Sequence, residues 1–163
     1  MKLKDLLSKD IIRIPLENQE KSKIIEELVD ILYESKRISD KDAVLKAVLD
    51  REAVMSTGMG DGVAIPHAKS DSVDELIAAF GITSEPVDFE SIDGKPVRMI
   101  FLLVGPTDQT GPHLKALSRI SRLMHREDFR QKLAVSQTSD QVIEAIEAEE
   151  RKSRRKRLHP HLW

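Results

Sequence analysis

Three side chains in this sequence have types and settings that suit chemistry. Val63-Ala64-Ile65-Pro66-His67 is a short apolar run that ends in proline and histidine. The proline disfavours helical geometry at Ile65 and stiffens the approach, so His67 stands at a strand end, where side chains project into a cleft. Gly111-Pro112-His113 opens a helical pattern, and Arg51 closes another. A neutral imidazole is a good nucleophile near neutral pH. If it attacks a phosphoryl group, negative charge gathers on the equatorial oxygens. An arginine offers those oxygens a fixed fork of donors. A second imidazole at a helix N-terminus adds an N–H beside the positive end of the helix dipole. The stretch Ser56-Thr57-Gly58-Met59-Gly60-Asp61-Gly62 adds backbone N–H groups and two hydroxyls that could form an anion nest. Together these parts suit a reversible phosphohistidine site.

Each residue also has a plainer reading. A lone histidine after a strand is commonly a hydrogen-bonded structural residue, and His113 alone reads as a helix-start residue. Arg51 within Asp50-Arg51-Glu52 reads as a solvated helix end with weak ion pairs. Gly58, Gly60 and Gly62 form GxGxG, which is neither a dinucleotide fingerprint nor a phosphate-binding loop, and no GK[ST] follows. A metal site would need His67, His113 and Asp61 to converge. Ser56 lacks the GxSxG nucleophile elbow. No cofactor and no metal is called for.

The elements that must position these residues follow from periodicity. Segment 11–16, IIRIPL, reads as a strand that Pro15 confines to an edge or an end. Ile24, Leu28 and Leu32 recur every fourth residue over 20–34, a helix. Ser39 with Asp42 resembles a capping box for a second helix, fading near Arg51–Ala53. Segments 76–83 and 97–104 read as strands. The latter is nearly continuous in apolar residues, hence central and buried on both faces, and Asp93-Gly94 marks a turn between the two. Leu114, Leu117, Ile120 and Met124 mark one face of the helix after Pro112. A short helix over 127–134 follows, and Thr138 with Gln141 caps a last one holding Val142, Ile143 and Ile146. The expected fold is α/β, a mixed β-sheet flanked by helices.

Composition bounds the rest. The 163 residues amount to one domain over 1–150 and a tail over 151–163. With no cysteine, thiol nucleophiles, thiolate zinc sites and disulfides are excluded. No apolar run approaches the ~20 residues of a membrane span, and the N-terminus lacks a secretory h-region, so a cytoplasmic location without membrane insertion is expected. The net charge of −2 conceals an asymmetry: RKSRRKRLHPHLW at 151–163 holds six Lys or Arg and no acid. The remainder carries a net −8, which argues against nucleic acid as the main partner. The tail reads as a solvated, disordered end that could touch phosphates or an anionic membrane. His159 and His161 within it lack a rigid third ligand for a metal.

The sequence resembles the fructose/mannitol-type (type-2) IIA domains of the bacterial phosphotransferase system. Arg51-Glu52, Met59-Gly60 and Val63-Ala64-Ile65-Pro66-His67-Ala68 match the family's phosphohistidine signature in order and spacing. Gly111-Pro112-His113-Leu114-Lys115-Ala116-Leu117 resembles its second histidine segment, and the likeness covers residues 1 to about 148. The resemblance implies the type-2 IIA fold, His67 as phosphoacceptor on Nε2, and Arg51 and His113 as phosphate-stabilising residues. It implies a phosphohistidine on HPr or an HPr-like carrier as donor. Sugar-type members pass the group to a cysteine on a IIB domain for fructose or mannitol uptake. Nitrogen-regulatory IIA proteins instead bind target proteins according to phosphorylation state. A chain without an attached IIB, HPr or membrane domain points to the regulatory branch, with sugar uptake as the alternative. Gene context would separate the two.

Overall fold

The computed structural model describes residues 2–158. Two short 3-10 turns, Leu3–Asp5 and Lys9–Ile11, precede strand β1 (Ile12–Leu16). Helices α1 (Lys21–Glu34) and α2 (Lys41–Val54) follow. Next come β2 (Gly58–Gly60), β3 (Val63–Ala64), β4 (His67–Lys69), β5 (Ile77–Val87) and β6 (Val97–Gly105). Helices α3 (Thr110–Met124), α4 (Glu127–Ala134) and α5 (Ser139–Leu158) complete the described residues.

The apolar run of 97–104 forms the spine. In β6 every residue except Arg98 is buried, as a strand covered on both faces must be. β5 pairs antiparallel with β6 along most of its length, and β1 pairs parallel with β5 at the sheet edge. Pro15 therefore sits where no further strand needs its missing N–H. On the other flank of β6, β3 and then β4 run parallel to it, Ala64 opposite Ile100 and His67 opposite Leu103. They are two pieces of one line interrupted at Ile65 and Pro66. The sheet is mixed and flanked by helices: α1 packs on β5 and α2, α2 on β4, and α3 on β6 and α4, with α4 against α5.

Several expectations need correction. The second helix is capped by Asp40, whose carboxylate accepts from the Ala43 N–H at 3.1 Å, and not by Ser39. Ser39 lies one residue too early for its side chain to reach that amide. In α3 the inward face is His113, Ala116, Ile120, Leu123 and Met124, while Leu114 is 59% exposed. The helix is turned so that the histidine takes the inward position given above to a leucine. The strand of the histidine motif does not end at Pro66 but resumes as β4, with His67 as its first residue. The chain also stays helical past residue 150. Arg151 with Glu147 and Lys152 with Glu149 make i,i+4 and i,i+3 ion pairs that carry α5 beyond the body, and its backbone remains helical to Leu158. The disordered reading therefore fails for 151–158. His159 and His161 lie outside the described residues. Thr138 caps the last helix as expected, its hydroxyl accepting from the Gln141 N–H at 3.2 Å, while the Gln141 side chain accepts from the Gln137 N–H instead of that of Thr138. Among the described residues no helix is long and apolar enough to cross a membrane.

The last helix is bound to the start of the chain by a buried carboxylate. Glu150 accepts from the Leu3 N–H (2.8 Å) and the Lys4 N–H (3.1 Å), and Arg119 on α3 donates to it at 2.7 Å. Replacing Glu150 by Ala leaves two amides and a guanidinium without their acceptor. We expect a loss of about 3 kcal/mol in unfolding free energy, read as a lower urea midpoint at unchanged slope.

Candidate functional site

The fold brings His67 and His113 together. His67 opens β4, and His113 lies in the first turn of α3, which starts five residues beyond the end of β6. Their ring centroids are 5.8 Å apart, with the planes tilted by 59°. The imidazole of His113 reaches this position because residue 105 has no side chain: a Cβ there would stand 3.0 Å from His113 Nδ1. Arg51 reaches the same end of the sheet from the last turn of α2, the helix packed on β4. One of its nitrogens donates to the Met55 carbonyl at 3.0 Å, which fixes the guanidinium against the helix end.

Hydrogen bonding assigns the protons. His67 Nδ1 lies 2.7 Å from the Ile65 carbonyl oxygen. A carbonyl only accepts, so Nδ1 carries the proton and the free lone pair is on Nε2. The half-buried ring is held below its ordinary pKa, first by burial, with the Arg51 charge acting in the same direction. Burial outweighs the Ile65 carbonyl, which favours the protonated ring. His67 is thus a neutral imidazole with one nitrogen engaged and the other open. His113 is only 3% exposed, and its Nδ1 is buried without a partner. An orphaned acceptor is tolerated better than an orphaned donor, so its proton belongs on Nε2. Burial pushes this pKa down to about 4, helped by His67 and the Lys69 ammonium. His113 is therefore an uncharged N–H donor throughout the neutral range.

The structure assigns the glycine-rich stretch a different task from an anion nest. The Ser56 hydroxyl donates to the Phe89 carbonyl and accepts from the Gly58 N–H, while the Thr57 hydroxyl donates to Glu52. Gly60 and Gly62 have φ of +94° and +80°, which suits the tight β2–β3 turn. Those hydroxyls are already committed and the glycines serve backbone geometry. The residues weighed for a metal do not form a triad: Asp61 stands 3.8 Å from Arg130, and the described residues contain no group of three His, Asp or Glu side chains that could hold an ion.

Two neighbours were given no role by the sequence. Lys69 follows His67 by two residues on β4, hence on the same face, and donates to the Thr110 hydroxyl at 2.9 Å beside the start of α3. The period of two in a strand was the available signal. Glu52 belongs to no solvated helix end. It is 7% exposed, takes the N–H and hydroxyl of Thr57 at 2.9 and 2.6 Å, and pairs with Lys21 at 2.9 Å. Its burial has no helical-period signal, because Lys21 on α1 is 31 residues away and Thr57, though only five residues on, lies beyond the end of α2. An uncharged nucleophilic nitrogen, a neutral N–H donor and two nearby cations can accept and stabilise a phosphoryl group.

Comparison with known proteins identifies the family. Residues 5–149 match the family described as "Phosphoenolpyruvate-dependent sugar phosphotransferase system, EIIA 2". The PTS system fructose-specific EIIABC component of Bacillus subtilis is 40% identical over 146 residues, 90% of this chain but 23% of that protein's length. The nitrogen regulatory protein of Bradyrhizobium diazoefficiens is 34% identical over 146 residues, covering 90% of this chain and 95% of the relative. The crystal structure of nitrogen regulatory protein IIA-Ntr from Neisseria meningitidis superposes with a TM-score of 0.83 at 33% identity, covering 88% of this chain and 98% of that one.

The depressed pKa of His113 has a consequence for stability. The unfolded ring titrates at its ordinary 6.5 and the folded ring at about 4. The stabilisation is complete above 6.5 and is lost as pH falls from there through about 4, since the unfolded chain takes up a proton that the folded one refuses. We expect His113→Gln to reduce the loss of unfolding free energy between pH 7 and pH 4.5 by about 2 kcal/mol, measured by urea denaturation at both pH values. In the wild type the His113 ring resonances should begin to titrate only below about pH 5, as judged from a folded pKa near 4.

Proposed function

As the chain belongs to the phosphotransferase-system EIIA type 2 family, we propose that it is a phosphoryl carrier that holds the group on His67 Nε2. The observation that carries this reading is the 2.7 Å contact between His67 Nδ1 and the Ile65 carbonyl, which leaves Nε2 as the only open nitrogen of a neutral ring. The donor is a phosphohistidine on HPr or an HPr-like protein. The Nε2 lone pair attacks phosphorus in line, the N–P bond of the donor breaks, and the donor imidazole leaves with the bonding pair. The Ile65 carbonyl stabilises the positive charge that the His67 ring takes up. Arg51 and the Nε2–H of His113 stabilise the equatorial oxygens. Because His113 is uncharged, it donates without adding a third cation to Arg51 and Lys69. The net −8 over 1–150 steers a basic docking face of the donor.

The downstream role is regulatory in this proposal. Phosphorylation replaces a neutral, half-buried ring with a dianion-bearing one, which changes the partners the face accepts. The likeness to IIA-Ntr of Neisseria meningitidis supports it. The second reading, a sugar-uptake IIA that passes its group to a cysteine of a IIB domain for fructose or mannitol, is favoured by the 40% identity to the fructose-specific component. The cytoplasm, where such donors act, is the compartment this function requires.

The test is intact-mass spectrometry after incubation with phosphoenolpyruvate, enzyme I and HPr. One phosphoryl group is expected on the wild type and none on His67→Ala. His113→Ala and Arg51→Ala should each slow its appearance by about 10²-fold while unfolding cooperatively. Full-rate labelling of His67→Ala would refute the assignment. Added to the phosphorylated protein, a fructose-type IIB domain that takes the group rapidly selects the sugar reading; a stable phosphoprotein selects the regulatory one.

A further inference from the structure

Glu52 is a buried carboxylate that the proposed transfer step does not use. Its two oxygens do different work: one accepts from the Thr57 N–H at 2.9 Å and meets the Lys21 ammonium at 2.9 Å, and the other accepts from the Thr57 hydroxyl at 2.6 Å. Thr57 is itself buried. The carboxylate therefore holds one residue by both its main chain and its side chain. Lys21, at the start of α1, lies 5.3 Å from the centroid of the Phe89 ring, which it faces, so the counter-charge is fixed as well.

What Thr57 does with that rigidity follows from its carbonyl. It accepts from the Ile65 N–H at 3.0 Å. Ile65 lies in the gap between β3 and β4, where no pairing with β6 holds it. Pro66, the next residue, has no N–H to offer, and it meets β6 through its own carbonyl, which accepts from the Leu103 N–H at 3.0 Å. Thr57 is thus the backbone partner that fixes Ile65, and the Ile65 carbonyl is the acceptor for His67 Nδ1. Three links run in series from the carboxylate to the reactive ring: Glu52 to Thr57, Thr57 to Ile65, and Ile65 to His67. The Glu52 charge also acts on the ring through space, favouring its protonated form and opposing Arg51.

We infer that Glu52 is a positioning residue: through Thr57 and Ile65 it holds the Ile65 carbonyl on the His67 Nδ1–H, and so fixes the tautomer that presents Nε2 to an incoming phosphoryl group. The inference rests on the reading of His67 as the phosphoacceptor. A neutral imidazole free of such a partner is a mixture of both tautomers, and one of them carries its proton on the nitrogen that must attack. Holding the carbonyl in place removes that fraction and orients the ring. Glu52 touches no reacting atom; its effect is on which nitrogen is free and where it points.

Ring 15N chemical shifts report the tautomer directly, without any phosphoryl donor. In the full-length wild type at neutral pH, His67 Nδ1 should resonate as a protonated, pyrrole-like nitrogen and Nε2 as a lone-pair-bearing, pyridine-like one. In Glu52→Ala both shifts should move towards their mean, and phosphorylation by phospho-HPr should slow by about tenfold or more with its final extent unchanged. Glu52→Gln keeps an oxygen for the Thr57 N–H and should restore most of the shift separation and of the rate. Thr57→Val, which loses the hydroxyl alone, should fall between. Wild-type shifts in cooperatively folded Glu52→Ala would overturn the inference. Should that variant fail to fold, wild-type shifts in Thr57→Val would overturn it instead. Equal loss in Glu52→Gln and Glu52→Ala would also overturn it, since the charge and not the hydrogen-bonded chain would then be responsible. A wild type with the expected ring shifts that accepts no phosphoryl group sinks the proposed function and leaves the positioning role standing.

Discussion

The Ile65 carbonyl binds the His67 ring, and the geometry of the site follows from how the chain around Pro66, which lacks an amide hydrogen, is held. The line of chain from Val63 to Lys69 lies along β6, the most deeply buried strand, and would otherwise pair with it throughout. At Ile65 and Pro66 the ladder is broken, although the Pro66 carbonyl still accepts from the Leu103 N–H at 3.0 Å. The chain regains its register at His67 opposite Leu103, so the interruption costs no slip. Ile65 itself turns away from β6, its N–H going to the Thr57 carbonyl at 3.0 Å, and its carbonyl engages the imidazole two residues on at 2.7 Å.

The second constraint is electrostatic. Arg51 and Lys69 both flank the site, and a third cation would repel them while binding a phosphoryl group no better directed. Burial of His113 prevents this by holding its ring neutral. The close approach allowed by Gly105 and the position in the first turn of α3 make that burial possible. Burial also carries a cost, an unpartnered Nδ1 in the interior, which is a typical departure from full hydrogen bonding at a functional site. His67 is less enclosed and is shifted in the same direction, so both rings are neutral for the same reason while only one keeps an open nucleophilic nitrogen.

Much of this was legible in the residues. The apolar character of 97–104, broken only by Arg98, marked β6 as the central strand, since few other settings bury nearly every position. The short helix over 127–134 coincides with α4, because its bounds are set by local acidic and apolar placement. His67, Arg51 and His113 were singled out by type and setting, and the fold brings the two rings side by side. What was not legible depended on distant chain. The inward turn of α3 exchanges Leu114 for His113, a difference of one position that periodicity tolerates. Glu52 looked solvated because its covering groups, Lys21 and Thr57, come from other elements. The hydroxyls of Ser56 and Thr57 looked free for a ligand because their partners, Phe89 and Glu52, are contacts only the folded chain makes.

Glu52 is also one of three buried glutamates that do the same work. Glu27 takes the N–H groups of Glu17 and Asn18 at the turn between β1 and α1 and pairs with Arg13. Glu150 takes those of Leu3 and Lys4 and pairs with Arg119. Glu52 takes that of Thr57 and pairs with Lys21. In each case a carboxylate satisfies main-chain donors that leave regular structure, and a single cation offsets its charge. Such a charge tolerates burial only when its lone pairs are filled, so each staple fixes its loop in one arrangement. The hydrogen bonds of Glu27 hold its carboxyl below the usual range despite burial, as expected where the bonds form to the ionised group. The first turn and the chain start need only be anchored. The loop held by Glu52 ends two hydrogen bonds from a reactive ring, and there the same device sets chemistry as well as shape.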